Sequence, residues 1–231
     1  MDSKQFASFL NGISNVPLYV LDKTIPLSQY TPINLSETNP ELSTFNINSS
    51  QAWESYVNVH LKKNNARVAF GGYAEKRNLY KRSAYFNQQN QHIERNIHLG
   101  VDLWLNAGSQ VFSPLDGQVH SFANNINYGD YGPTIIIEHQ IEDIRFYTLY
   151  GHLSLNTIQN LAKGQKVHAG QQIGALGNSN VNGDYAPHLH FQIIRDMGDY
   201  QGDYPGVSSR NDLEYYLNNC PDPNTILKLN G

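Results

Sequence analysis

Residues 188–194 read HLHFQII, and the fold turns on how this heptapeptide is read. A short apolar run ending in two β-branched residues is a strand, and Pro187 favours an extended residue just ahead of it. Side chains at i and i+2 of a strand share one face, roughly 6–7 Å apart. His188 and His190 therefore turn two imidazoles toward one place, where one can ligate a metal while the other reaches a water or a substrate.

Outward from this strand the chain repeats the same texture. Runs near residues 111–122, 134–139, 144–151 and 171–176 are rich in Val, Ile, Tyr or Phe. Asp116-Gly117, Gly129-Asp130-Tyr131-Gly132, Lys163-Gly164-Gln165 and Gly177-Asn178 separate them as turns. Two short helices are expected, at 155–161 and 212–218, the second stopping before Pro221 and Pro223. Before Arg67 the texture changes: a polar, Pro-containing stretch at 31–42 reads as loop. A helix is expected over residues 51–63, capped by Ser50, with Trp53, Tyr56, Val57, His60 and Leu61 at helical spacing. The expected architecture is mainly β: an antiparallel sheet domain over residues 67–231, with a small, partly helical N-terminal appendage over residues 1–66.

Composition narrows the function classes. The chain has 231 residues, 39% hydrophobic and 16% charged, enough for one sizeable core. A net charge of −4 gives no electrostatic reason to expect nucleic acid or an anionic membrane as partner. Cys220 stands alone, so no intramolecular disulfide is available, and it reads as a partly buried thiol. No apolar run is long enough to span a bilayer. The N-terminus has no signal-peptide core, so the sequence as written reads as cytoplasmic, or as periplasmic or extracellular if a leader has been removed.

Two further histidine motifs matter. In His98-Leu99-Gly100-Val101-Asp102 the first and last residues would lie about 13 Å apart on a straight strand, too far to share an ion. The segment must bend if they do, and Gly100 is where a bend costs least. His152, in YTLYGHLS, sits where an apolar strand opens into a loop, a common place for a functional group. Of the other histidines, His60 reads as a core or boundary residue and His92, in QQNQHIE, as exposed. His120, His139 and His168 receive no role. With nine histidines in the chain, either spaced pair alone could arise by chance.

Taken together, HLGVD, YGHLS and HLHFQ resemble the three signatures of the lysostaphin/LytM-type zinc metalloendopeptidases: His-x-x-x-Asp, Tyr-x-His-Leu and His-x-His-Phe. NAGSQVFSPLDGQV and KGQKVHAGQQIGALGNS resemble the family's hairpin and its x-Gly-Gln-x-Val/Ile segment. The resemblance covers residues 95–195 with specific motifs. It implies a loop-walled groove on the sheet, one Zn²⁺ held by His98, Asp102 and His190, and a catalytic pair, His152 and His188, whose separate roles stay open. Two imidazoles and a carboxylate leave a tetrahedral zinc one open position, and without a His-Glu-x-x-His motif a histidine must take the water's proton. The expected substrate is a peptide bond in peptidoglycan cross-links or Gly-rich peptides. The alternatives are an intracellular zinc peptidase or amidase on the same fold, and a silent binding or regulatory module. Residues 1–66, or tyrosines of the Tyr73–Tyr85 stretch, are candidates to cover the groove.

Overall fold

The computed structural model describes residues 1–83 and 93–229, so His92 and Tyr85 lie outside the described residues. In chain order the helices are α1 (Ser3–Gly12), α2 (Ser50–Lys63), α3 (Leu155–Ile158), α4 (Leu213–Asn219) and α5 (Asn224–Leu227). The strands are β1 (Tyr30–Pro32), β2 (Val68–Gly71), β3 (Ile97–His98), β4 (Val101–Trp104), β5 (Gln110–Phe112) and β6 (Gly117–Asn125). They continue with β7 (Gly132–Ile141), β8 (Ile144–Gly151), β9 (Lys166–Val167), β10 (Gln172–Ala175), β11 (His188–Ile194) and β12 (Val207–Ser208).

HLHFQII is indeed a strand, β11, and it lies inside an eight-stranded sheet ordered β1-β2-β4-β11-β8-β7-β6-β9. Every pairing in that sheet is antiparallel except β1 with β2 at one edge. All seven residues of β11 are buried, because both faces of the sheet are covered. Leu189, Phe191 and Ile193 point into the main core with Phe6 and Leu10 of α1, Phe146, Tyr150 and Ile226. Ile194 faces a second cluster with Leu149, Met197, Tyr204 and Cys220. A strand covered on both sides needs no polar alternation, so its polar residues are the informative ones.

The expected run 111–122 divides into β5 and β6, which sit in different sheets. Residues 3–12 form a helix that is not among the expected elements, although Phe6, Phe9, Leu10 and Ile13 fall at helical spacing. Its start is a capping box: Asp2 accepts from the Gln5 backbone N–H at 2.8 Å, and Gln5 Oε1 accepts from the Asp2 N–H at 2.9 Å. Phe6 and Leu10 then fall on one side, four residues apart, and fill the core. The cap of α2 is Ser49 instead of Ser50, accepting from the Ala52 N–H at 3.2 Å, while Ser50 Oγ donates to Asp184. Trp53 and Val57 are buried as expected, and His60 Nε2 stands 2.9 Å from the Pro32 carbonyl. Among the described residues no helix is long and apolar enough to cross a membrane.

Candidate metal centre and active site

Sheet register brings the site together. Asp102 on β4 is paired with Gly71 of β2 on one side and with His190 of β11 on the other. His190 is in turn paired with Gly151, the last residue of β8, immediately before His152. Residues directly opposite one another present side chains to the same face, so Asp102 and His190 meet, with His188 one step along β11. The chain breaks between β3 and β4 at Leu99-Gly100, which lets His98 come round to the same point. The bend is where it was expected, but the glycine serves close approach: a Cβ there would stand 2.7 Å from His190 Cε1 and from the Phe191 carbonyl.

Three donor atoms converge. His98 Nε2 lies 2.8 Å from His190 Nδ1 and 3.2 Å from Asp102 Oδ1, and His190 Nδ1 lies 3.1 Å from that same oxygen. Ligands about 2.1 Å from a tetrahedral zinc are roughly 3.4 Å apart, so this triangle is close to the size the ion requires. The hydrogen bonds behind the rings decide which nitrogens are bare. His98 Nδ1 donates to the Gly72 carbonyl at 3.0 Å, and His190 Nε2 donates to Gln192 Oε1 at 2.9 Å. Both nitrogens facing Asp102 therefore carry lone pairs. Burial, opposed by Asp102, lowers the His98 pKa to about 3. Two lone pairs and a carboxylate oxygen in mutual contact repel one another unless a cation sits between them, and the donor set fits zinc.

The other two imidazoles stand beside the triangle. His152 Nδ1 donates to the Asn182 carbonyl at 2.8 Å, and His188 Nδ1 donates to the Ala186 carbonyl at 2.7 Å. Each keeps its Nε2 lone pair, and that of His188 is 3.9 Å from Asp102 Oδ1. Their ring centroids are 4.1 Å apart. Burial and the neighbouring histidines hold the His152 pKa well below the ordinary value, and burial also lowers that of His188. His152 has φ +62°, the left-handed region. Its N–H donates to the Tyr131 carbonyl and its carbonyl accepts from the Gly177 N–H, both at 2.9 Å, and these bonds hold the conformation.

Several residues of the site are not marked by any sequence motif. Arg77 Nη1 donates to Asp102 Oδ2 at 2.6 Å, and its Nε donates to Glu75 at 2.6 Å. It thereby holds the second carboxylate oxygen away from the triangle. Burial alone would raise the Asp102 pKa, but the fields of His98 and Arg77 hold it well below the carboxylate range. Burial likewise opposes the Arg77 charge, and Tyr80, Asp102 and Glu75 outweigh it. Gly72, at φ +106°, makes the turn that leaves room for this guanidinium, since a Cβ would collide with Nη2. Tyr131 places its hydroxyl 3.4 Å from His190 Nε2, and burial raises its pKa well above the usual phenol value. Nothing local in the sequence marks Arg77. Gln192 could have been found as the one other polar residue on the histidine face of β11.

His98, Asp102, His152, His188 and His190, with Arg77 and Tyr131, line a cavity of about 150 Å³. Its walls are aromatic, including Trp53, Trp104, Tyr131 and Tyr185, with Arg95, Asp130 and Asp203 among its charged groups. His98, Asp102, His152, His188 and His190 are thus brought to one place by the fold. Cys220 is fully buried, and burial pushes its thiol up to about 12.

Parts of the chain are similar to known proteins. A stretch of 98 residues, 42% of this chain, is 37% identical to the peptidoglycan DD-endopeptidase ShyA of Vibrio cholerae, covering 20% of that protein. Over 115 residues, half of this chain, it is 34% identical to lysostaphin of Staphylococcus staphylolyticus, covering 22% of it. The chain thus spans about a fifth of the length of each of these two relatives. Among solved structures, the catalytic domain of lysostaphin from Staphylococcus simulans aligns at 24% identity and TM-score 0.36, covering 52% of this chain and 80% of that one. Residues 96–202, with all five of these side chains among them, match the model of peptidase family M23.

Proposed function

We propose that this chain is a zinc-dependent endopeptidase, with one zinc held by His98 Nε2, Asp102 Oδ1 and His190 Nδ1, that cleaves peptide bonds in peptidoglycan cross-links or Gly-rich peptides. The observation that carries the reading is the contact of two imidazole lone pairs with a carboxylate oxygen in a buried triangle. When bound, the zinc would polarise the scissile carbonyl and make a water acidic enough to attack near neutral pH. His152 and His188 each offer a neutral Nε2 toward the cavity. One takes the proton of the attacking water, and the other hydrogen-bonds the developing oxyanion or returns a proton to the leaving amine. Their depressed pKa values keep both rings unprotonated at neutral pH. Arg77 keeps Asp102 ionised and singly committed to the triangle.

Under this reading residues 67–231 are the catalytic part, and residues 1–66 an appendage that lends Leu35 and Trp53 to the cavity wall. The substrate class rests on the relatives named above. The test is metal analysis of the purified chain after dialysis against a weak chelator, with digestion of peptidoglycan and of oligoglycine peptides before and after a strong chelator. One equivalent of zinc and chelator-sensitive release of fragments are expected. A chain that takes up no zinc would sink the proposal.

A further inference from the structure

His190 can present either ring nitrogen to its neighbours, and only one arrangement leaves Nδ1 bare. Gln192 stands two residues further on the same face of β11 and is fully buried. Its amide nitrogen donates to the Pro205 carbonyl at 3.1 Å and to Cys220 Sγ at 3.2 Å. A carbonyl can only accept, so the NH₂ end of the amide must face Pro205 and Oε1 must face His190. Turning the amide over would oppose Gln192 Oε1 to the Pro205 oxygen and an N–H to the His190 N–H, leaving buried groups unsatisfied at about 1–3 kcal/mol each.

Pro205 and Cys220 both lie beyond the stretch that matches family M23. The segment that carries them packs on this face through Met197, Tyr204 and Cys220. Asn219 ties it further, donating to the Tyr204 hydroxyl and to the Asp196 carbonyl.

We propose that Gln192 is a positioning residue that fixes His190 as the Nε2–H tautomer with Nδ1 toward the metal, and that the C-terminal segment, through Pro205 and Cys220, sets the orientation of Gln192. This rests on the reading of His190 as a metal ligand. The role goes beyond packing, because Gln192 selects which nitrogen holds the lone pair.

The test uses the full chain, first stripped of zinc. Nitrogen-15 spectra of the imidazoles report the tautomer directly, and competition with a chromophoric chelator reports zinc affinity. The zinc-free wild type should show His190 as Nε2–H. Gln192→Leu, checked for native circular dichroism, should show mixed tautomers and zinc binding weakened about 10–100-fold, the usual cost of losing an outer-shell partner. Gln192→Glu restores an acceptor toward His190 but opposes an oxygen to the Pro205 carbonyl, so it should restore the Nε2–H tautomer while recovering only part of the affinity. A Gln192→Leu chain with the wild-type tautomer and affinity overturns the inference. Should that variant not fold, the wild-type spectrum decides, since a dominant Nδ1–H form overturns it equally. Failure of the wild type to take up zinc would instead count against the endopeptidase reading, and the tautomer measurement stands apart from it.

Discussion

His139 and His190 occupy two strands of one sheet and are almost equally hidden from solvent, at 0% and 2% exposure. They differ in how their nitrogens are spent. His139 uses both: Nδ1 is 2.8 Å from the Asp116 carbonyl and Nε2 is 2.7 Å from Thr148 Oγ1. His190 turns Nδ1 to a triangle of electron-rich atoms, and His98, His152 and His188 likewise each commit one nitrogen to a carbonyl and keep one for the site. Burial depresses the pKa of His139 much as it does that of His98. Depression of the pKa by burial is therefore common to His139 in the core and His98 in the site, and the unsatisfied second nitrogen is what separates core from site.

The comparison can be broken by mutation. The largest effect is predicted for His190→Ala, which removes a corner of the triangle. Activity should fall to background and zinc should be lost on dialysis, so a variant retaining stoichiometric zinc would contradict the ligand assignment. His152→Ala comes next: kcat/KM should drop about 10²–10⁴-fold with zinc retained, and zinc loss there would move His152 into the ligand set. Arg77→Met frees the second oxygen of Asp102 and should weaken zinc binding about 10–100-fold. Arg77→Lys should recover little, because an ammonium cannot fork to Glu75 and Asp102 as a guanidinium does. Competition titration of both variants checks this.

The smallest effect sharpens the other side of the comparison. His139→Leu should leave kcat unchanged, lower stability at every pH through the lost bonds to Asp116 and Thr148, and flatten the acid dependence of that stability. The folded pKa of His139 is about 4 against 6.5 for the free side chain, so the unfolded chain holds the extra proton between those values. Stability is full above about pH 6.5 and declines as pH falls toward 4, by about 3 kcal/mol from this group. Urea midpoints measured from pH 7 to pH 4 should therefore fall less steeply in His139→Leu than in the wild type. Parallel slopes would mean that His139 titrates normally in the fold.

Much of this molecule is legible along the chain. The strand character of HLHFQII, the turn glycines and the helix over residues 51–63 follow from local periodicity and turn chemistry, which are properties of neighbouring residues. The resemblance to the lysostaphin/LytM type carries the candidate residues, and the fold brings them together. Other features are not legible in this way. The helix at residues 3–12 is short, and although Phe6, Phe9 and Leu10 fall at helical spacing, its value lies in Phe6 and Leu10 reaching a core assembled from distant strands. Arg77 is 25 residues from Asp102 and follows no spacing rule, so the ion pair exists only once β2 and β4 are paired.

By itself the sequence determined the strand character of β6, β7, β8, β10 and β11 and which residue types are available for metal chemistry, because periodicity and composition act over a few residues. Tertiary structure alone decided which nitrogen of His98 and of His152 is free and which end of the Gln192 amide faces His190. That choice depends on carbonyls delivered from Gly72 and Asn182 and on the Pro205 oxygen behind Gln192. Hydrogen bonding at this level is directional over about 3 Å, and no pattern along the chain encodes which distant acceptor will arrive.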